Sequence, residues 1–219
     1  MQILSRSFII FILTFSIGSC TAQNNNTPYT AGKTFSFELT VTDSMNTILI
    51  MDTLDVLIKS KSIIGGILGM NQAEWSSTKF PNIKNKRGIN LKEGFAEIQM
   101  PLNYNYLENE NIVIAGYPSY SEDMKVKHST QSEHYFVKGY GKLKGLKIDQ
   151  YSEVMDSVKV FYKDKERLCK VRKYKNISHI KQFGQYHLKT YYDMEYGFIQ
   201  MLFQYPNGKE LNFKLIEIR

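Results

Sequence analysis

Cysteine, metal-ligand spacings and catalytic signatures are nearly or wholly missing from this sequence, and each lack removes a class of protein. Only Cys20 and Cys169 occur in 219 residues, so a mature domain that begins near Cys20 can close no internal disulfide and must be held by its core. There is no Gly-x-Ser-x-Gly elbow, no His-Glu-x-x-His zinc helix, no calcium loop and no Walker phosphate loop. Nothing in the motifs supports an enzyme, and a hydrolase whose site is dispersed along the chain is the third-ranked reading. The four histidines, His128, His134, His179 and His187, have no metal-binding spacing, so no metal and no cofactor are expected. Lys138-Gly139-Tyr140-Gly141 matches half of an RNA-recognition strand, but Lys142-Leu143-Lys144 stands where aromatic and branched residues belong, and no nucleic-acid partner is expected. Gly/Ser-rich or Pro-rich linkers and internal repeats are also lacking, which leaves one domain.

Long hydrophobic runs are missing too. The longest, Phe8 to Ile17, falls short of the roughly 20 residues a membrane helix requires. With Arg6 before it and Gly18-Ser19 after it, the run reads as a secretory signal peptide over residues 1–19. Ile17-Gly18-Ser19-Cys20 resembles the lipobox of bacterial lipoproteins, which implies acylation of Cys20 and cleavage before it. The alternative is a soluble secreted protein cut near Ala22 or Gln23. Acyl chains contribute on the order of 0.8 kcal/mol per buried methylene, enough for firm anchoring when several are attached. Residues 20–32 would then be the lipidated N-terminus and a polar tether, and 33–219 a single β-rich domain. The expected location is the cell envelope, outer membrane included, as a periplasm-facing or surface-exposed lipoprotein.

Loss of residues 1–19 removes Arg6 and no acid, and lowers the net charge from +7 to +6. The basic residues concentrate between Lys159 and Lys175, alternating with Val160, Tyr162, Leu168 and Val171, a pattern that reads as the solvated edge of a hairpin. Cys169 sits in the same alternation and reads as a buried small hydrophobe.

Alternation dominates elsewhere. Phe35, Phe37, Leu39 and Val41 share one face of a strand, and Asp43 to Asn46 has turn chemistry. Further strands are expected at Thr47 to Met51, Leu54 to Lys59, Gly94 to Met100, Ile112 to Ala115, His134 to Gly139, Ser157 to Tyr162 and Leu168 to Tyr174. At the C-terminus two alternating segments flank Pro206-Asn207-Gly208-Lys209, where Asn-Gly predicts a hairpin with positive φ at both turn residues. Lys147 to Met155 is the best helical candidate. The fold class is therefore mainly β, an antiparallel, strongly curved sheet or incompletely closed barrel with few helices. Ile63 to Met70, apolar with three glycines, is either a tight bend in the core or a mobile greasy loop over a cavity or against a membrane.

The stretch Thr190-Tyr191-Tyr192-Asp193-Met194-Glu195-Tyr196-Gly197-Phe198-Ile199-Gln200-Met201 resembles a pattern near the end of several periplasmic β-rich families. The general arrangement is similar to the LolA/LolB-like fold, an incompletely closed β-barrel with helices covering an apolar cavity that holds lipid or acyl chains. The resemblance covers roughly the last third of the chain. Two departures stand out: well-marked helical segments are missing, and the N-terminal half has no counterpart. From pattern alone, Phe35, Phe37, Ile64, Leu68 and Trp75 are the candidates to line a cavity for a lipid or acyl ligand. The competing reading is an accessory lipoprotein that binds another envelope protein or a surface polymer through its basic, tyrosine-rich face.

Overall fold

A computed structural model describes residues 27–60, 71–80, 84–92, 94–100, 104–107, 110–112, 118–122, 129–136, 144–178 and 184–219. The expected signal peptide and Cys20, the glycine-containing stretch with Ile64 and Leu68, and Lys138 to Gly141 lie outside the described residues.

Fourteen strands are described: β1 Thr34–Thr42, β2 Ile48–Lys59, β3 Asn71–Ser77, β4 Lys84–Lys92, β5 Phe95–Ile98, β6 Tyr104–Leu107, β7 Glu110–Ile112, β8 Ser119–Ser121, β9 Ser129–Phe136, β10 Lys144–Tyr162, β11 Lys165–Ser178, β12 Gln185–Asp193, β13 Gly197–Gln204 and β14 Glu210–Ile218. Twelve form one sheet in the order β8-β5-β4-β3-β2-β1-β14-β13-β12-β11-β10-β9, and β6 pairs with β7. Every pairing is antiparallel.

Strand β8 stands at one edge of that order, yet it touches β11 and β12 near the other. The Ser119 N–H donates to Tyr174 Oη at 2.8 Å, the Tyr174 hydroxyl donates to the Ser119 carbonyl at 2.8 Å, and Tyr120 stacks flat on Tyr192 at 4.0 Å. Such contacts require the sheet to roll up on itself, as its twist favours. The result is the incompletely closed barrel that the alternation predicts, with its seam joined by side chains.

The inward residues explain the rolling. In register across the middle strands stand Val56, Phe35 and Ile218, then Leu54, Phe37 and Leu215, then Phe213 beside Leu39. Phe35, Phe37, Leu54 and Phe213 are fully buried. Burying such side chains contributes about 1.5–3 kcal/mol each, and only a curved sheet lets one face cover itself.

Three local expectations are corrected. Lys147 to Met155 is not helical but part of β10; Gln150 and Ser152 point inward while Tyr151 and Glu153 are exposed. Because the inward residues are polar, the two-residue period is invisible in hydropathy. The segments Thr47 to Met51 and Leu54 to Lys59 form one strand, β2. Asp52 does not break it, because its buried carboxylate accepts bonds from the Ser77 hydroxyl at 2.6 Å and from the Thr53 and Lys79 N–H groups at 2.7 and 3.0 Å. The last hairpin forms where expected, but only Gly208 has positive φ, 78°. The loop is closed by bonds between Tyr205 and Lys209 and between Gly208 and Tyr205, a longer connection than a two-residue turn. The two-residue turn with both φ positive is found instead at Lys163 and Asp164, 47° and 59°, between β10 and β11.

The first described residues are held firmly. Tyr29 is buried, packs on Phe35 at 4.7 Å and accepts the Phe198 N–H at 2.7 Å. Gly197 makes room for it: φ is 80°, and a Cβ there would lie 2.6 Å from Tyr29 Cζ. Gly197→Ala is therefore expected to lose about 2–3 kcal/mol in denaturant unfolding, from the left-handed backbone plus the clash. An unchanged midpoint would contradict this packing.

Candidate functional site

Alternation along β11 places Lys170, Arg172, Tyr174 and Asn176 on the inner side of the sheet, where the central strands carry apolar residues. Their register partners on β12 are Tyr192, Thr190, Leu188 and Tyr186. Near the seam Lys170, Arg172, Thr190 and Tyr192, with Val154 of β10 and Ser119, Tyr120 and Glu122 of the β8 edge, enclose a cleft of about 120 Å³.

Two cations, two hydroxyls and a stacked tyrosine pair meet there. Arg172 is buried, donates to Ser119 Oγ at 3.0 Å and lies over the Tyr174 ring. Lys170 is exposed at the lip. Burial pushes the Tyr192 phenol far up, reinforced by Tyr120, Asp193 and Glu122; Tyr120 is raised by burial and by Glu122. Tyr174 is raised by burial although Arg172 and the bonds to Ser119 act against it. All three phenols thus stay protonated at neutral pH. The Tyr120 and Tyr192 hydroxyls and the two cations are donors suited to a carboxylate or phosphate, with the exposed Glu122 carboxylate also in the lining.

Deeper on the same strands, Gln150 and Asn176 stand directly opposite each other. Both are buried, and neither amide has a hydrogen-bond partner among the described residues. Leaving such groups unpaired costs about 1–3 kcal/mol each.

The residues proposed from sequence lie elsewhere. Phe37 and Trp75 come together as a stacked pair at 6.2 Å, the Trp75 indole N–H donates to the Gln99 carbonyl at 3.1 Å, and Phe35 packs on Tyr29. All three have 0 % exposure, within a continuous cluster. Their neighbours in the described structure are other core side chains. Cys169 is buried as read, with its thiol pushed up to about 11 by burial and by Asp193, partly offset by Arg167. Asp193 accepts the Glu195 and Tyr196 N–H groups at 2.8 and 3.0 Å and shapes the β12–β13 turn.

Sequence reasoning missed the cleft. Ser119 and Tyr120 reach β11 and β12 only through closure of the barrel, which leaves no local trace. Arg172 had one visible signal: it occupies the inward phase of a strand, so the reading of Lys159 to Lys175 as a solvated edge does not hold at that residue.

The architecture defines a class: antiparallel β-barrels, incompletely closed, with a polar cleft at the seam. Two solved structures are similar in fold. One is of a putative lipoprotein from Parabacteroides distasonis, with a TM-score of 0.56 at 13% identity over 89% of this chain and 98% of that one. The other is of a putative exported protein with a YmcC-like fold from Bacteroides fragilis, with a TM-score of 0.50 at 7% identity over 88% of this chain and 98% of that one. At such identities the likeness is one of fold. No protein-family model and no curated protein matches the sequence.

Proposed function

We propose that this protein is an exported lipoprotein of the bacterial envelope, anchored through Cys20, that binds an amphiphile by its anionic head. The observation that carries the binding reading is the placement of Arg172 and Lys170 on the inner side of the sheet beside the stacked Tyr120 and Tyr192. Beside the Tyr120 and Tyr192 hydroxyls, these two cations offer charged donors to an anionic group. The cleft of about 120 Å³ matches a carboxylate or phosphate head. The resemblance of Thr190 to Met201 to LolA/LolB-like proteins supports an acyl-bearing ligand, and the named relatives of the fold support an exported location.

The test is native mass spectrometry with lipid extraction on the protein exported in a bacterial host. A fatty acid or acidic lipid is expected at one per chain, reduced about tenfold by Lys170→Glu, an exposed change that leaves the fold intact. A clean apo mass would overturn the reading.

A second reading has its own observation. On the outer face Lys173 stands directly opposite Lys189, with Lys175 beside it opposite His187. Glu153 of β10 stands opposite Lys173 on its other side, and the excess of cations over acids along this strip suits an acidic surface such as an envelope protein or anionic polymer.

A further inference from the structure

The β10–β11 hairpin ends in an amphipathic tip. One face of it is packed against the β12–β13 turn: Tyr162 meets Tyr196 edge-on at 5.2 Å, and Arg167 bonds Glu195 at 2.8 Å and the Tyr196 hydroxyl at 2.9 Å. On the opposite face, in the same phase of β11 as Lys170 and Arg172, Phe161 and Leu168 are each 64 % exposed, diagonal neighbours between the register pairs Phe161↔Glu166 and Lys159↔Leu168. From Lys159 to Lys170 the tip carries five cations against two acids; of the cations, Lys159 pairs with Glu166 at 2.7 Å and Arg167 with Glu195 at 2.8 Å. Apolar side chains set among lysines suit an anionic lipid surface, where rings and methyl groups enter the headgroup layer and ammonium groups pair with phosphates.

The start of the described chain lies at the same end of the barrel. Tyr29 is fastened to Phe198 and fitted against Gly197, and the hairpin tip is fastened to Tyr196, so both grip the β12–β13 turn. The seven residues from Cys20 to Asn26 span at most about 25 Å when extended. An acyl anchor at Cys20 would therefore hold this end against the bilayer. Another exposed apolar group, Met45, Ile48 and Met51, lies at the far end, where Ser44 meets the Gly208 turn.

We infer that the β10–β11 tip is a second membrane contact: Phe161 and Leu168 insert at the headgroup level of an anionic bilayer while Lys163 and Lys165 bind lipid phosphates. The inference rests on the lipoprotein reading above, and it orients the barrel. The strands that carry Lys170 and Arg172 then rise from the membrane surface, with the cleft beside it.

The test uses the unacylated mature chain from Thr21 to Arg219, which keeps every described residue, in co-sedimentation with vesicles. Pelleting is expected with mixed phosphatidylglycerol and phosphatidylcholine, not with phosphatidylcholine alone, and should weaken with salt. Lys163→Gln with Lys165→Gln is expected to weaken it about thirtyfold, and Phe161→Ser with Leu168→Ser about tenfold. Met45→Ser with Ile48→Ser at the opposite end should change nothing. Circular dichroism confirms that each variant is folded. Absence of binding to anionic vesicles, binding that survives the hairpin substitutions, or binding lost with the Met45 and Ile48 changes would each overturn the inference. Failure of the anchoring reading is seen separately, as lack of palmitate incorporation at Cys20 in a bacterial host. Failure of the cleft reading is seen as an apo mass after lipid extraction, and neither measurement involves the hairpin.

Discussion

Trp75→Ala is expected to destabilise the protein by about 3–5 kcal/mol, a large part of the stability of a domain this size. The indole is fully buried, stacks on Phe37, and stands opposite Val56 on β2 and Asn85 on β4. Its removal leaves a cavity that a sheet curved over neighbouring side chains closes poorly, and it orphans the bond to the Gln99 carbonyl. Trp75→Phe keeps most of the volume and should cost less than half as much. Guanidinium unfolding followed by far-ultraviolet circular dichroism measures both, since Trp75 is the single tryptophan and its fluorescence is lost with it. A cost below about 1 kcal/mol for the alanine variant would mean that Trp75 faces an open cavity in solution, the role suggested by pattern alone.

The second large effect is alkaline unfolding. Tyr29 and Tyr174 are buried, and desolvation raises both phenols above the ordinary value of 10.0; Tyr162 is pushed up to about 12, chiefly by burial with Tyr196 adding. Tyr192 and Tyr205 are raised in the same way. Below pH 10 these phenols are protonated in both the folded and the unfolded chain, and their contribution is complete. As pH rises through 10 the unfolded chain releases protons that the fold retains, so the unfolded state binds fewer protons and stability falls. Each such phenol removes about 1.4 kcal/mol per pH unit until its folded pKa is passed. For Tyr162 that window is from 10.0 to about 12. Phenolate absorbance and loss of β circular dichroism should rise together in one steep transition above pH 10. Gradual ionisation with an unchanged β spectrum would show that these tyrosines are solvated.

Much of the architecture was legible because one face of most strands is apolar. Phe35 to Val41 and the last two strands announce both their conformation and their inward phase, and the core lies where they point. Legibility failed wherever the inward residue is polar. Gln150 and Ser152 masked β10 as a helical candidate, and Asp52 seemed to divide β2 until its partners on and after β3 were visible. Strands β3 and β12 went unmarked for a related reason: Glu74, Gln72, His187 and Lys189 break up the apolar signal around Trp75 and Leu188.

The amino-acid sequence by itself determined a mainly antiparallel, curved sheet, a disulfide-free core and the concentration of positive charge between Lys159 and Lys175, because these follow from residue type and local period. Only the tertiary structure decided where that charge acts. Closure of the barrel brings Ser119 and Tyr120 onto Arg172 and Tyr192, and the β12–β13 turn gathers Tyr29 and the Phe161 hairpin at one end. Those contacts join residues dozens of positions apart, and their geometry depends on the accumulated twist of twelve strands, a quantity that no local pattern encodes.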